Sequence, residues 1–259
     1  MLVVCPPRRT GENPMNAKEL FQAGRLAEAI QALGAELREN PADARRRTFL
    51  FELLCFAGEY DRAGKHLDIL AQGGKDAELG ALLYRAALHA ERTRDEMFRK
   101  GEYPRAALEG AAAAPVSGSL NGNPFQELED GDPRIGARLE VFAAGQYMWI
   151  PLAHIASLEM QAPKRLRDLI WAPAILRTGP AFKDRELGEV LLPVLAPLSY
   201  RHPDDAVKLG RMTEWQAGDG GEQVPAGQKM LLVDGEDFPL LELRRLEIAA
   251  PDAQSHATA

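Results

Sequence analysis

A string of six residues occurs twice in this chain, and the interval between the copies constrains the fold more than any other feature. Gly24-Arg25-Leu26-Ala27-Glu28-Ala29 returns as Gly58-Glu59-Tyr60-Asp61-Arg62-Ala63, 34 residues later. Leu33 and Leu67 keep that register, Leu37 and Ala71 keep it more loosely, and Asn40-Pro41 closes the first copy. Each residue type has a mechanical reason. Gly ends a helix without a Cβ penalty, Ala29 and Ala63 let paired helices approach closely, and Pro41 blocks continuation into the next helix.

An interval of 34 residues with these landmarks is the tetratricopeptide pattern of paired helices. Asn16 caps a first helix that includes Leu20 and Phe21, and Leu26, Ile30, Leu33 and Leu37 mark one face of a second. Asp43 caps a third, with Phe49, Leu50, Leu53, Leu54 and Ala57 as its buried stripe; Tyr60, Ala63, Leu67 and Leu70 line a fourth. After Gly73-Gly74, a long fifth helix carries Leu79, Leu82, Leu83, Ala86 and Ala90 and runs towards Phe98. A third echo, Gly101-Glu102-Tyr103-Pro104-Arg105-Ala106, comes 43 residues after the second, which implies a lengthened helix before it. Such pairs bury their apolar faces only by stacking, so they form a short array with a concave side that receives a peptide or a helix. Phe49, Leu53, Phe56 and Tyr84 are the candidate groove residues; the alternative is an array that merely supports the second half. Arg45-Arg46-Arg47, with Glu39, Asp43 and Glu52 around it, reads as a solvated face and not as a nucleic-acid patch.

The chain has 259 residues, enough for two domains, with 46% apolar and 27% charged residues. No run reaches the ~20 apolar residues of a membrane span, and Leu2 to Val4 fall short of a signal-peptide core. Residues 1–14 read as a disordered leader, with Met15 as the start of the folded chain. Cys5 and Cys55 form no metal-ligand spacing and suit a reducing cytoplasm. Residues 1–114 carry 17 basic and 17 acidic side chains and residues 115–259 carry 14 and 21, so the net charge of −7 arises in the second half. That balance argues against a nucleic-acid or membrane surface there.

Ala111 to Ala114, Pro115-Val116-Ser117-Gly118-Ser119 and Asn121-Gly122-Asn123-Pro124 are loop chemistry and mark a boundary. The expected division is a helical domain over 15–114, a linker over 115–134, an α+β domain over 135–250 and a tail over 251–259. Arg138 to Phe142 and Gln146 to Ile150, joined by Ala144-Gly145, read as a hairpin, and His154 to Met160 as a further strand. Pro163 starts a short helix, extended runs follow over Leu187 to Leu195 and Leu209 to Trp215, and a final hairpin joins Lys229–Val233 to Leu240–Ile248 across Asp234-Gly235-Glu236-Asp237. The fold class is therefore α+β in two domains, a tetratricopeptide-like helical array followed by a small, mainly antiparallel sheet domain.

Four ordered blocks in the second half carry a resemblance. They are Asp130-Gly131-Asp132-Pro133-Arg134-Ile135-Gly136, Tyr147-Met148-Trp149-Ile150-Pro151, Pro163-Lys164-Arg165-Leu166-Arg167-Asp168-Leu169-Ile170-Trp171 and Leu209-Gly210-Arg211-Met212-Thr213-Glu214-Trp215. Together they resemble the ImpE/TagJ (SciE-type) family of type VI secretion accessory proteins over roughly residues 15–250. The resemblance implies a helical domain followed by an α+β domain. It also implies binding to the amino-terminal helix of the small sheath subunit, and a link to the AAA+ unfoldase that recycles contracted sheath. No catalytic residue and no cofactor carries over.

The residues themselves offer little chemistry. His66, His89, His154, His202 and His256 are scattered without metal-ligand spacing. His202-Pro203-Asp204-Asp205 reads as a helix start, with its acids at the positive helix end. Gly218-Asp219-Gly220-Gly221-Glu222 is too acidic to cradle phosphate, and no Gly-x-Ser-x-Gly elbow occurs. Trp and Arg dominate interface energetics, so Arg167 with Trp171 and Arg211 with Trp215 are candidate partner-binding pairs. The opposing reading places each Trp in the core, with the arginines paired to Asp168, Glu214 or loop carboxylates. The expectation is a cytoplasmic, non-catalytic adaptor that grips one amphipathic helix in an apolar groove. The rivals are an enzyme using His202, Asp204 and Asp205, and a dimerising scaffold.

Overall fold

The computed structural model describes residues 15–104, 115–179, 187–218 and 220–249. Helix α1 (Ala17–Gln22) begins under a capping box: the Asn16 side chain accepts from the Lys18 and Glu19 amides, and the Glu19 carboxylate accepts from the Asn16 amide. Helices α2 (Leu26–Glu39), α3 (Ala44–Phe56), α4 (Tyr60–Leu70) and α5 (Lys75–Lys100) follow, and each packs on the one before it. The 34-residue interval is reproduced in space. Gly24 (φ +77°) and Gly58 (φ +69°) occupy the same left-handed position two residues before α2 and α4. Gly58 has a second constraint, because a Cβ there would lie 2.4 Å from the Tyr200 ring. Helix α5 takes up the offset of the third echo with 26 residues and ends at the left-handed Gly101. The arginine triplet makes no basic patch: Arg46 pairs with Glu36 and Asp43, and Arg47 is buried and donates to the Pro41 carbonyl.

Thirteen strands are described after the helices: β1 (Gly118–Leu120), β2 (Asn123–Phe125), β3 (Leu128–Asp130), β4 (Arg138–Ala143), β5 (Gln146–Pro151), β6 (Ile155–Met160), β7 (Trp171–Thr178), β8 (Gly188–Pro193), β9 (Thr213–Ala217), β10 (Gln223–Gly227), β11 (Met230–Val233), β12 (Glu236–Pro239) and β13 (Arg245–Ile248). An eight-stranded antiparallel sheet has the order β2-β1-β13-β6-β7-β8-β4-β5; β12-β11-β3 and β10-β9 form two smaller sheets. Three tight hairpins, at Asn121-Gly122, Ala144-Gly145 and Asp234-Gly235, have positive φ at both central residues. That is the turn whose twist matches paired strands.

Four expectations need correction. The stretch expected as linker, 115–134, contains β1, β2 and β3, because Asn121-Gly122 is a hairpin turn and not a boundary loop. The last hairpin turns over two residues and pairs β11 with β12; β13 leaves it and pairs with β1 and β6. Pro163 is followed by a 3-10 turn at Leu166–Leu169, held by Asp168, which accepts from the Lys164 and Arg165 amides. The run Leu209 to Trp215 is not one extended segment. It ends the short helix α6 (Asp205–Lys208), turns at Gly210 (φ +64°) and becomes β9 only at Thr213.

The helices do not form a core of their own. Their buried residues are continuous with Phe142, Ile170, Trp171, Leu191 and Leu209 from the sheet half. The other face of the large sheet builds a second core from Val141, Ala172, Ala174, Leu176 and Leu192, packed with Leu128, Leu231 and Leu246. Two side chains tie the halves further. Asp205 accepts from the Leu26 amide (2.8 Å) and so caps α2, whose own N-cap residue Arg25 offers no capping side chain. Arg211 donates to the Phe21 and Gln22 carbonyls at the end of α1 (2.6 and 3.0 Å), its guanidinium lying 4.8 Å from the Phe21 ring centroid.

Candidate functional site

On α5, Leu79, Leu83, Ala86 and Ala90 fall on one stripe at helical spacing, with Leu82 beside it. The stripe is covered at one end only. Ala90 is fully buried, and Ala86 lies against the turn between β4 and β5, where a Cβ on Gly145 would come within 3.5 Å of it. Leu79, Leu82 and Leu83 are 68%, 62% and 50% exposed. The opposite wall repeats this asymmetry. Along β7, Trp171, Pro173 and Ile175 alternate onto the face that meets the helices. Trp171 is buried against Phe51 and Tyr84, whereas Ile175 is 44% exposed.

The helix–sheet interface is thus filled at the Trp171 end and open at the Ile175 end. The open end is an apolar groove of about 610 Å³, with Leu79, Leu82 and Leu83 on one wall, Pro173 and Ile175 on the other, and Phe142 and Gly145 at one side. Isolated surface leucines are ordinary, but three on one helix face opposite an exposed isoleucine form a contiguous patch, the usual mark of an interaction site.

A buried ion network clamps α5 against the sheet. Arg94 donates to both Glu140 oxygens (2.7 and 3.0 Å), to Glu91 (3.0 Å) and to the Leu195 carbonyl (2.9 Å). Lys229 bridges Glu140 (2.6 Å) and Asp130, Tyr147 donates to Glu140 (2.5 Å), and Trp171 Nε1 donates to Glu91 (3.0 Å). Burial pushes the Glu140 carboxyl upward, but Arg94 and Lys229 together outweigh it and hold it down at about 2. For Asp130 burial prevails over the attraction of Lys229, and its carboxyl is lifted to about 6.

Most of the sequence-derived site residues are structural. Leu53 and Phe56 are fully buried in the core and present no surface to a partner. Phe49 is half-buried against Phe21 (ring centroids 5.5 Å). Of the four groove candidates only Tyr84 lines the groove, as its end wall, stacked on Trp171 (6.0 Å, 28°) with the Arg167 guanidinium 4.9 Å from its ring centroid. Arg167 also lies 3.7 Å from Glu52, so its carboxylate partner is neither Asp168 nor a loop acid. Trp171 fills the core, and Arg211 caps α1. Trp215 is 38% exposed on β9, away from the groove.

His202, Asp204 and Asp205 do not converge. His202 accepts from the Asp204 amide and faces Glu214 (3.2 Å), Asp204 caps α6, and Asp205 pairs with Lys208 and caps α2. Among the described residues no group of three His, Cys, Asp or Glu side chains is placed to hold a metal ion, and no helix is long and apolar enough to cross a membrane. Sequence reasoning missed Ile175 and the whole ion network. The available signals were Glu140 inside the otherwise apolar run Leu139–Ala143, Lys229 against the run Met230–Val233, and Ile175 alternating out of β7.

Residues 122–247 match the sequence model of the ImpE protein family. The type VI secretion system accessory component TagJ of Pseudomonas aeruginosa is 34% identical, with 95% of each chain covered. An X-ray crystal structure of protein VPA1032 from Vibrio parahaemolyticus superposes with a TM-score of 0.76 at 24% identity, covering 90% of this chain and 97% of that one, and so shares the fold. With that identity extending over both the helical and the sheet halves, the chain belongs to the ImpE/TagJ family.

Proposed function

We propose that the protein is a non-catalytic adaptor of a type VI secretion system, working in the cytoplasm, whose groove receives the amino-terminal helix of the small sheath subunit. Docking that helix serves sheath assembly, or sheath recycling by the AAA+ unfoldase. The reading is supported by kinship with a type VI accessory component. The observation that carries it is the bare half of the α5 stripe: Leu79, Leu82 and Leu83 face Ile175 across a gap that the chain's own core stops short of filling. An amphipathic helix laid there continues the α5–sheet packing with its own apolar side chains, the usual helix-in-groove mode. The helix pairs, in this reading, are degenerate tetratricopeptide units that brace α5, and Tyr84 closes the groove end. Trp215, partly exposed on β9, offers a second, separate contact point. The protein's work is binding; no covalent bond is made or broken.

Burying an exposed leucine is worth ~2 kcal/mol, or near thirtyfold in affinity. Leu82→Asp is therefore expected to weaken binding of a peptide spanning that sheath helix at least thirtyfold in a fluorescence-anisotropy titration, with the melting temperature unchanged. Equal affinity for parent and variant would remove the groove from consideration.

A further inference from the structure

The groove is apolar along its floor and α5 wall but not along its sheet side. In the antiparallel register, Glu159 on β6 lies directly opposite Ile175 on β7, and Ile175 lies directly opposite Glu189 on β8. The exposed isoleucine is thus flanked on both sides by carboxylates, both exposed and both lining the groove. With neighbouring strands ~4.8 Å apart, the two acids stand roughly 10 Å from each other, about the width of a helix. They are the only charged residues among the described lining, and among the described residues neither is in an ion pair. Arg245, the cross-strand neighbour of Glu159 on β13, forms its close ion pair with Glu247 (2.7 Å) and attracts Glu159 only at longer range.

From this we infer that the groove selects for charge as well as for apolarity: its occupant is a protein helix whose apolar stripe is bordered by Lys or Arg, with the apolar side against Leu79, Leu82 and Leu83 and the basic border over Glu159 and Glu189. The inference rests on the groove being the docking site. Two like charges beside an apolar floor disfavour an acidic or neutral-flanked helix relative to a basic one, which provides discrimination and faster association. A second copy of this chain fits poorly, since its own groove face would bring four carboxylates together and the chain as a whole is acidic, at −7.

The test uses the full chain and a fluorescently labelled peptide of the small sheath subunit's amino-terminal helix, titrated in 50 mM and 500 mM NaCl. Exposed ion pairs are individually weak, so reversing both acids, Glu159→Lys with Glu189→Lys, is expected to lower affinity roughly tenfold at low salt. The difference should shrink to within about twofold at high salt, where the screening length falls to about 4 Å. A peptide with its Lys and Arg replaced by Gln should lose the same factor against the parent and none against the double variant. If the double variant binds like the parent while Leu82→Asp abolishes binding, the carboxylates have no selective role and the inference is overturned with the groove intact. If neither change affects binding, the groove is not the site and both readings fall. Sedimentation of the protein alone supplies the remaining outcome: self-association that Leu82→Asp abolishes would place a second copy in the groove and overturn the inference as well.

Discussion

Replacing Arg94 with methionine keeps the apolar stem of the side chain and deletes its guanidinium, with the charge and all the donors. The guanidinium is buried and satisfies Glu140 twice, Glu91 once and the Leu195 carbonyl once. After the substitution Glu91 keeps only Trp171 Nε1, Glu140 keeps Tyr147 and Lys229, and three buried carboxyls face a single cation. Removing one partner of a buried ion pair costs ~3–5 kcal/mol, because the remaining charge cannot be rehydrated in place. That is a large part of the ~5–15 kcal/mol that holds a typical domain folded. At ~2–4 °C per kcal/mol for a chain of this size, the melting temperature should fall by about 10 °C. Urea unfolding followed by tryptophan fluorescence is the assay, since Trp149 and Trp171 both lie within or beside the network. Adding Glu140→Gln should recover part of the loss, because it removes the charge that Arg94→Met strands. A single variant within about 1 kcal/mol of the parent, or a double variant losing the sum of its parts, would refute the reasoning.

Asp130 titrates near 6 when folded against 3.8 for an ordinary aspartate, so the folded state holds the extra proton between those values. Stability should therefore rise as pH falls from about 6 towards 4, by at most ~1.4 kcal/mol per unit, and Asp130→Asn should remove that component from a comparison of urea midpoints across pH. Gly24→Ala and Gly58→Ala make equivalent changes at equivalent positions of the repeat. Both meet the left-handed penalty of ~1–2 kcal/mol, but only Gly58 also faces a ring at 2.4 Å, so calorimetry should rank Gly58→Ala as clearly the more damaging. Trp215→Ala should leave the melting temperature within a degree or two, since the ring is 38% exposed, while Trp171→Ala should cost ~3–5 kcal/mol in the same experiment.

The helical half was legible because its signals are local. Asn16 and Asp43 cap by contacts within three residues, and the 34-residue interval repeats the same glycine turn. The hairpin at Ala144-Gly145 was legible for the same reason. What escaped depended on contacts distant in sequence. Leu53 and Leu82 are both leucines inside helices; Leu53 is buried because α3 lies between its neighbours, and Leu82 is bare because it faces the open groove opposite Pro173 and Ile175. The destination of β13 was hidden likewise, since four residues after a tight hairpin do not reveal which of two sheets they will join. Arg211 and Trp215 were paired by proximity in the sequence, yet one seals a helix end 190 residues earlier and the other faces water.

Because the ring of Trp171 is wedged between Phe51 and Tyr84, the chain is indivisible in a way its sequence does not advertise. Sever it anywhere between α5 and β1, and each fragment bears a raw hydrophobic scar where the other belonged. Recombination could not lend the helices to another protein without the sheet. Any partner that pries at α5 strains the whole molecule at once.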